Sequence, residues 1–158
     1  MNVQYFDAST KRTAREAGLW YALVTVFSIF GIIYADFRFY MAGDAAATAA
    51  RILGDTWLYR AAIASNLVGQ VCQIFVGLAF YKLFAAVDGS KARTMLGLVL
   101  TMVAIAFLNM LGKFAPLVLL ENPALAQAFG TKEATALAFL FLELQRYGTV
   151  IVGIFWGL

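Results

Sequence analysis

The chain has 158 residues, enough for one ordinary domain, but 63% of them are hydrophobic and only 13% are charged, against about 25% charged in a soluble domain. With a mean hydropathy of +0.80, this is more apolar surface than a soluble core can hide, and lipid is the partner that can cover it. A formal net charge of +3 on 12 Lys and Arg, with no basic stripe, argues against nucleic acid as a partner.

Residues 1–17 are polar, with Lys11, Arg12 and Arg15 just before the first apolar run, and Ser9-Thr10 can start a short helix that feeds it. The first span is Gly18–Phe37, about twenty residues at 1.5 Å each, which matches a hydrocarbon layer of about 30 Å. Trp20, Tyr21 and Tyr34 sit near its ends where aromatic belts belong, and Asp36 and Arg38 mark the far interface. It has no small-x-small exit site and reads as a retained helix rather than a cleaved signal. Residues 39–60 do not span. Asp44 can cap a short surface helix over residues 44–53, Gly54 can end it in a left-handed conformation, and Asp55 can cap the next helix.

The second span is Ala61–Leu83. Asn66, Gln70 and Gln73 share one of its faces, at i, i+4 and i+7, and that face should point into protein. Ser65 and Gly69 form a small-xxx-small pair beside them, the spacing that lets helices approach closely. Cys72, the lone cysteine, has no partner for an internal disulfide and reads as a small buried hydrophobe. After a turn at Val87–Ser90 the third span covers residues 94–115, with a kink or break expected at Pro116, which cannot bond the Gly112 carbonyl, and Lys113 at the bend. Glu121–Glu133 reads as a short polar connection, and the fourth span covers residues 134–158. Six Lys or Arg on the side of the N-terminus (Lys11, Arg12, Arg15, Lys82, Lys91, Arg93) face four on the other (Arg38, Arg51, Arg60, Lys132), which predicts an N-terminus inside the cell.

The fourth span carries Glu143, Gln145, Arg146 and Tyr147 near its middle. Ionisable groups at that depth are functional-site candidates by default. Counting inward at 1.5 Å per residue puts Asn66, Gln70, Lys113, Asn109 and Glu143 in one layer roughly 8–16 Å below the outer face, with Gln73 continuing the amide stripe. One reading is a polar pocket with Glu143 as anion, Lys113 and Arg146 as cations and the amides as orienting groups, Tyr147 sharing the Glu143 face. The other makes Glu143–Arg146 an intrahelical pair, the amides interhelical glue worth about 0.6–1.7 kcal/mol each, and Lys113 a snorkelling side chain on a helix ending at Gly112. Gln145 points away from Glu143, so its face should be covered by other helices or by a second copy of the chain. Gly153-x-x-x-Gly157 has dimerisation spacing and reads as packing within the bundle.

The runs Gly43–Ala50 (GDAAATAA), Tyr59-Arg60 with Ile63–Leu67 (IASNL), and Phe141–Gly148 (FLELQRYG) resemble the bacterial membrane family catalogued as domain of unknown function 4386, over nearly the whole chain from Arg12 to Leu158. The resemblance implies a multi-pass helical fold and a membrane location, with no assigned activity. It also implies Asp at the positions of Asn66 and Glu143, His at the position of Gln145, and about six helices, so that this sequence reads as truncated at its C-terminus.

Taken together, the expectation is an all-α transmembrane bundle with four spans and an interfacial helix, in a bacterial cytoplasmic membrane. With no histidine, no nucleophile–base pair and no metal spacing, no cofactor is implied and a non-enzymatic structural or accessory role is favoured. The alternative is a small-solute or proton permease or binding protein using the layer around Glu143.

Overall fold

The computed structural model describes residues 8–155. Helix α1 (Ala8–Ser28) starts in the polar leader, where Arg12 pairs with Glu16 one turn on at 3.0 Å. It continues without interruption through a π-helical segment, Ile29–Tyr34, into α2 (Ala35–Phe39), so the first rod is Ala8–Phe39 rather than Gly18–Phe37. Tyr40 is extended and Gly43 takes a positive φ of 74°, which turns the chain into α3 (Ala45–Gly54).

Asp44 caps α3 as expected, accepting from the Ala47 N–H at 2.8 Å. The expected left-handed end at Gly54 does not form: Gly54 stays helical, and Asp55 turns the chain at φ −148° while its carboxylate accepts from the Leu58 N–H to cap α4 (Thr56–Phe84). A side-chain cap supplies the turn, so no positive φ is required. Thr48 and Ile52 are each 1% exposed, and α3 packs on α6 and α8. The interfacial helix is therefore folded over one end of the bundle.

At the opposite end Asp88 caps α5 (Gly89–Asn109), accepting from the Lys91 and Ser90 N–H groups at 3.0 and 3.1 Å. The Lys91 N–H foremost holds its carboxyl below the usual range. The third rod breaks at Met110, not at Pro116, which lies buried inside α6 (Leu111–Glu121). Pro116 cannot bond the Gly112 carbonyl, and the turn upstream gives way: the Lys113 N–H reaches back only three residues to Met110 O, at 2.9 Å. The break lets α5 pack along α4 while α6 turns to pack along α8 (Thr131–Ile154).

The connection before α8, expected to be short and polar, contains a short helix α7 (Pro123–Phe129). The Asn122 side chain accepts from the Ala124 N–H at 3.0 Å, beside a proline already set for a first helical turn. Four rods, Ala8–Phe39, Thr56–Phe84, Gly89–Glu121 and Thr131–Ile154, are long and apolar enough to cross a membrane. The chain is an all-α bundle, with α1 and α5 on either side of α4. Two apolar clusters lock it: Phe39, Ile52, Tyr59, Ile63, Met110 and Leu142 under α3, and Val24, Cys72 and Val76 toward the other end. Gly157 of the expected glycine pair lies outside the described residues.

Candidate functional site

The polar residues picked from the sequence do not form one layer. They separate into an ionic cluster under α3 and a cavity lined by amides deeper in the bundle.

The ionic cluster is built where the π-helical segment meets α4 and α6. A Cβ on Gly31 would lie 2.7 Å from Asn66 N and 2.8 Å from Ala62 O, so only glycine allows this approach of α1 to α4. π turns loosen the i→i−4 ladder and recur at functional sites. Here the Gly31 carbonyl accepts a bond from Lys113 Nζ at 3.1 Å. Lys113 also reaches Asp36 Oδ1 at 3.3 Å, and the Tyr59 hydroxyl donates to the Lys113 carbonyl at 2.9 Å. Lys113 is 4% exposed. It does not snorkel from a helix end, because its helix continues to Glu121 and its counter-ion is on α2.

Glu143 is therefore not the anion for Lys113. It is half-buried and accepts from the Tyr40 hydroxyl. No Glu143–Arg146 ion pair forms among the described residues; the Arg146 guanidinium instead lies 4.0 Å over the Tyr40 ring. That ring also stacks on Phe139 at 5.7 Å. Tyr40 is clamped by three residues of α8 from two directions. The Glu143 hydrogen bond, followed by burial, raises the Tyr40 hydroxyl above its usual pKa. Tyr147 is 70% exposed and belongs to neither cluster.

The second site is a cavity of about 260 Å³ between α1, α4, α5 and α8. Asn66, Gln70, Gln73, Asn109, Gln145 and Thr149 supply its polar wall, and no Lys, Arg, Asp or Glu lines it. The shared face of Asn66, Gln70 and Gln73 points into the bundle as expected. Asn109 is tied down: its Nδ2 donates to Gln145 O at 2.9 Å and to Thr149 Oγ1 at 3.3 Å. Gln145 Nε2 donates to Thr149 Oγ1 at 3.1 Å. Gln73 differs. It is 5% exposed and its Oε1 has no hydrogen-bond partner. An unpaired buried amide oxygen costs about 1–3 kcal/mol.

Gln145 is 8% exposed, and the face expected to await other helices is covered by this chain's own break region. A Cβ on Gly112 would lie 2.5 Å from Gln145 Cβ and 2.7 Å from Phe141 O, so a glycine at the break is what lets α6 close on α8. Sequence reasoning missed Asp36, Tyr40 and Tyr59 as partners and Thr149 as wall. The π turn hides the first two, since it shifts the helical count before they are reached.

No curated protein and no solved structure matches the chain. The model of the family described as Domain of unknown function (DUF4386) matches residues 17–158, which takes in both clusters, and the chain belongs to that family.

Proposed function

We propose that this is a non-enzymatic, multi-pass protein of a bacterial cytoplasmic membrane, its N-terminus on the cytoplasmic side, that binds an uncharged polar ligand in the amide-lined cavity. The observation that carries the reading is the cavity wall itself: Asn66, Gln70, Gln73, Asn109, Gln145 and Thr149 line it together with no charged residue. Amides present donors and acceptors together and favour neutral groups over ions. The space suits a few polar atoms or several waters at about 30 Å³ each. Glu143 and Lys113, the centre of the expected permease site, are committed to Tyr40 and Asp36 outside the cavity wall, so the binding role passes from them to the amide stripe.

A scaffold reading is supported by other residues. Ser65 Oγ donates to Phe27 O at 3.0 Å and Asn109 reaches α8, both tying helix to helix. These bonds hold the bundle; they do not account for the uncharged polar wall of the cavity.

The test is thermal unfolding of wild type, Gln73→Leu and Glu143→Gln against a panel of neutral polar compounds. A ligand at 100 times its Kd stabilises the folded state by about 2.7 kcal/mol. A compound-specific rise in Tm, lost in Gln73→Leu and kept in Glu143→Gln, is the expected result. A response that depends on Glu143 instead, or no response in wild type, would leave only the scaffold.

A further inference from the structure

Resting on the cavity reading above, we infer that the ligand is a carboxamide, or a lactam or urea with the same edge, carried on an apolar body, and that Asn66 recognises it. Asn66 is 5% exposed, and neither end of its side-chain amide has a hydrogen-bond partner among the described residues. Neither end is sealed, in contrast to Gln73 Oε1, which is closed off from the space. The free amide of Asn66 therefore opens on the cavity it lines. Its neighbours across the wall are engaged: Asn109 donates to Gln145 and Thr149, and Gln145 donates to Thr149. Gln70, one turn further along α4, lines the same space and also has no partner among the described residues.

The position of the Asn66 amide is set from behind. A Cβ on Gly31 would lie 3.0 Å from Asn66 Cβ, so the first rod presses on the stem of this side chain and fixes where it leaves the helix. That contact sits where Lys113 Nζ holds the Gly31 carbonyl. A carboxamide sets one donor and one acceptor side by side in a plane, and a group with the reverse pair on one edge meets both at once. Asn and Gln read adenine in this bidentate way. An alcohol meets one end at a time, a carboxylate brings no donor, and an ammonium brings no acceptor. Much of the remaining lining is apolar, with Val24 and Ile32 from the first rod and Met102 and Ala106 from α5. A polyol would turn hydroxyls onto those side chains. An amide keeps both polar atoms on one edge and offers them its apolar body.

The experiment follows Tm of the full chain in lipid nanodiscs against benzamide, N,N-dimethylbenzamide, benzyl alcohol, benzoate and benzamidine, which share one apolar body. Asn66→Leu removes both ends of the amide at similar volume, and Asn66→Asp places an oxygen on each arm. The expected result is a saturable rise with benzamide, at an apparent affinity about tenfold or more above that for the dimethylated amide, the alcohol and benzoate, the value of one good hydrogen bond. Asn66→Leu should lose this rise. Asn66→Asp should exchange it for a rise with benzamidine, whose two donors match a carboxylate's two oxygens, and such a gain requires a folded protein. Loss of the benzamide rise without that gain, or a benzamide rise that both variants keep, would overturn the assignment of Asn66. An Asn66-dependent rise as strong with benzyl alcohol as with benzamide would overturn the carboxamide and leave the uncharged cavity standing. No saturable rise with either compound in wild type would overturn both.

Discussion

Replacing Asp36 by alanine strips the Lys113 ammonium of its carboxylate, and the structure sets how unequal the two halves of this pair should be. Lys113 is 5% exposed in its side chain while Asp36 is 40% exposed, at an N–O distance of 3.3 Å. At an effective dielectric of ~20, charges that far apart attract by about 5 kcal/mol before desolvation is counted. In Asp36→Ala the ammonium stays buried with only the Gly31 carbonyl, and the loss should be about 3 kcal/mol, at the lower end for breaking a buried pair. In Lys113→Met the carboxylate that remains is wet and keeps its hydration, and methionine refills most of the volume. About 1 kcal/mol should be lost there. Removing both leaves no stranded charge, so the double variant should return to within about 1 kcal/mol of Lys113→Met, far from additivity. Reversible unfolding of the four proteins in mixed micelles measures the cycle. Equal losses for the two single changes, or a larger loss for Lys113→Met, would refute the argument, since it rests wholly on the difference in burial.

Gly112→Ala should lower stability by about 1–3 kcal/mol through overpacking against Gln145 and Phe141. Gly97→Ala, where an added Cβ meets nothing within 4 Å, should raise it by about 0.5–1 kcal/mol; melting curves of the two variants check both signs. The Tyr40–Glu143 bond should make stability fall in alkali. Tyr40 is raised above its ordinary value of 10.0, so its contribution is complete below that value and fades as pH climbs through the folded-state pKa. Tyr40→Phe should melt lower at neutral pH, and its difference from wild type should shrink along the alkaline limb of a Tm-against-pH series.

What could be read in advance follows the length scale of the physics. Four long apolar runs and the Asp44, Asp55 caps depend on local sequence, and all of them stand as expected. The inward face of Asn66, Gln70 and Gln73 is equally local, a matter of helical period on one uninterrupted rod. The pairing of charges is not local. A π turn holds more residues than an α turn, so Asp36 and Tyr40 arrive at positions that a count at 3.6 per turn does not give, and Asp36 read as an interface marker. The break of the third rod falls at Met110, upstream of Pro116, beside the point where Gly112 closes on α8. That contact links residues far apart in the chain, and Pro116 alone cannot announce it. Gln145 shows the same limit: its side of α8 looked open only because α6 could not be placed.

The two clusters also constrain each other through Gln145, which lines both the amide cavity and the space beside Lys113 and Arg146. Glu143 and Gln145 project from nearly opposite sides of one helix, the first onto Tyr40 and the second against Gly112 and into the cavity. A helix moves as a unit over two residues, so α8 cannot leave Tyr40 without carrying Gln145, the Asn109 bond and the Thr149 wall with it. Charge is thereby kept at the α3 end, where Asp36 is 40% exposed, and the cavity wall carries no charged residue. Placing Lys113 one turn earlier, at Asn109, would put an ammonium in the cavity wall with no carboxylate among the lining residues to meet it, and the site would then select anions instead of neutral groups. The spacing of one helical turn between Asn109 and Lys113 is thus what separates the structural charge from the recognition surface.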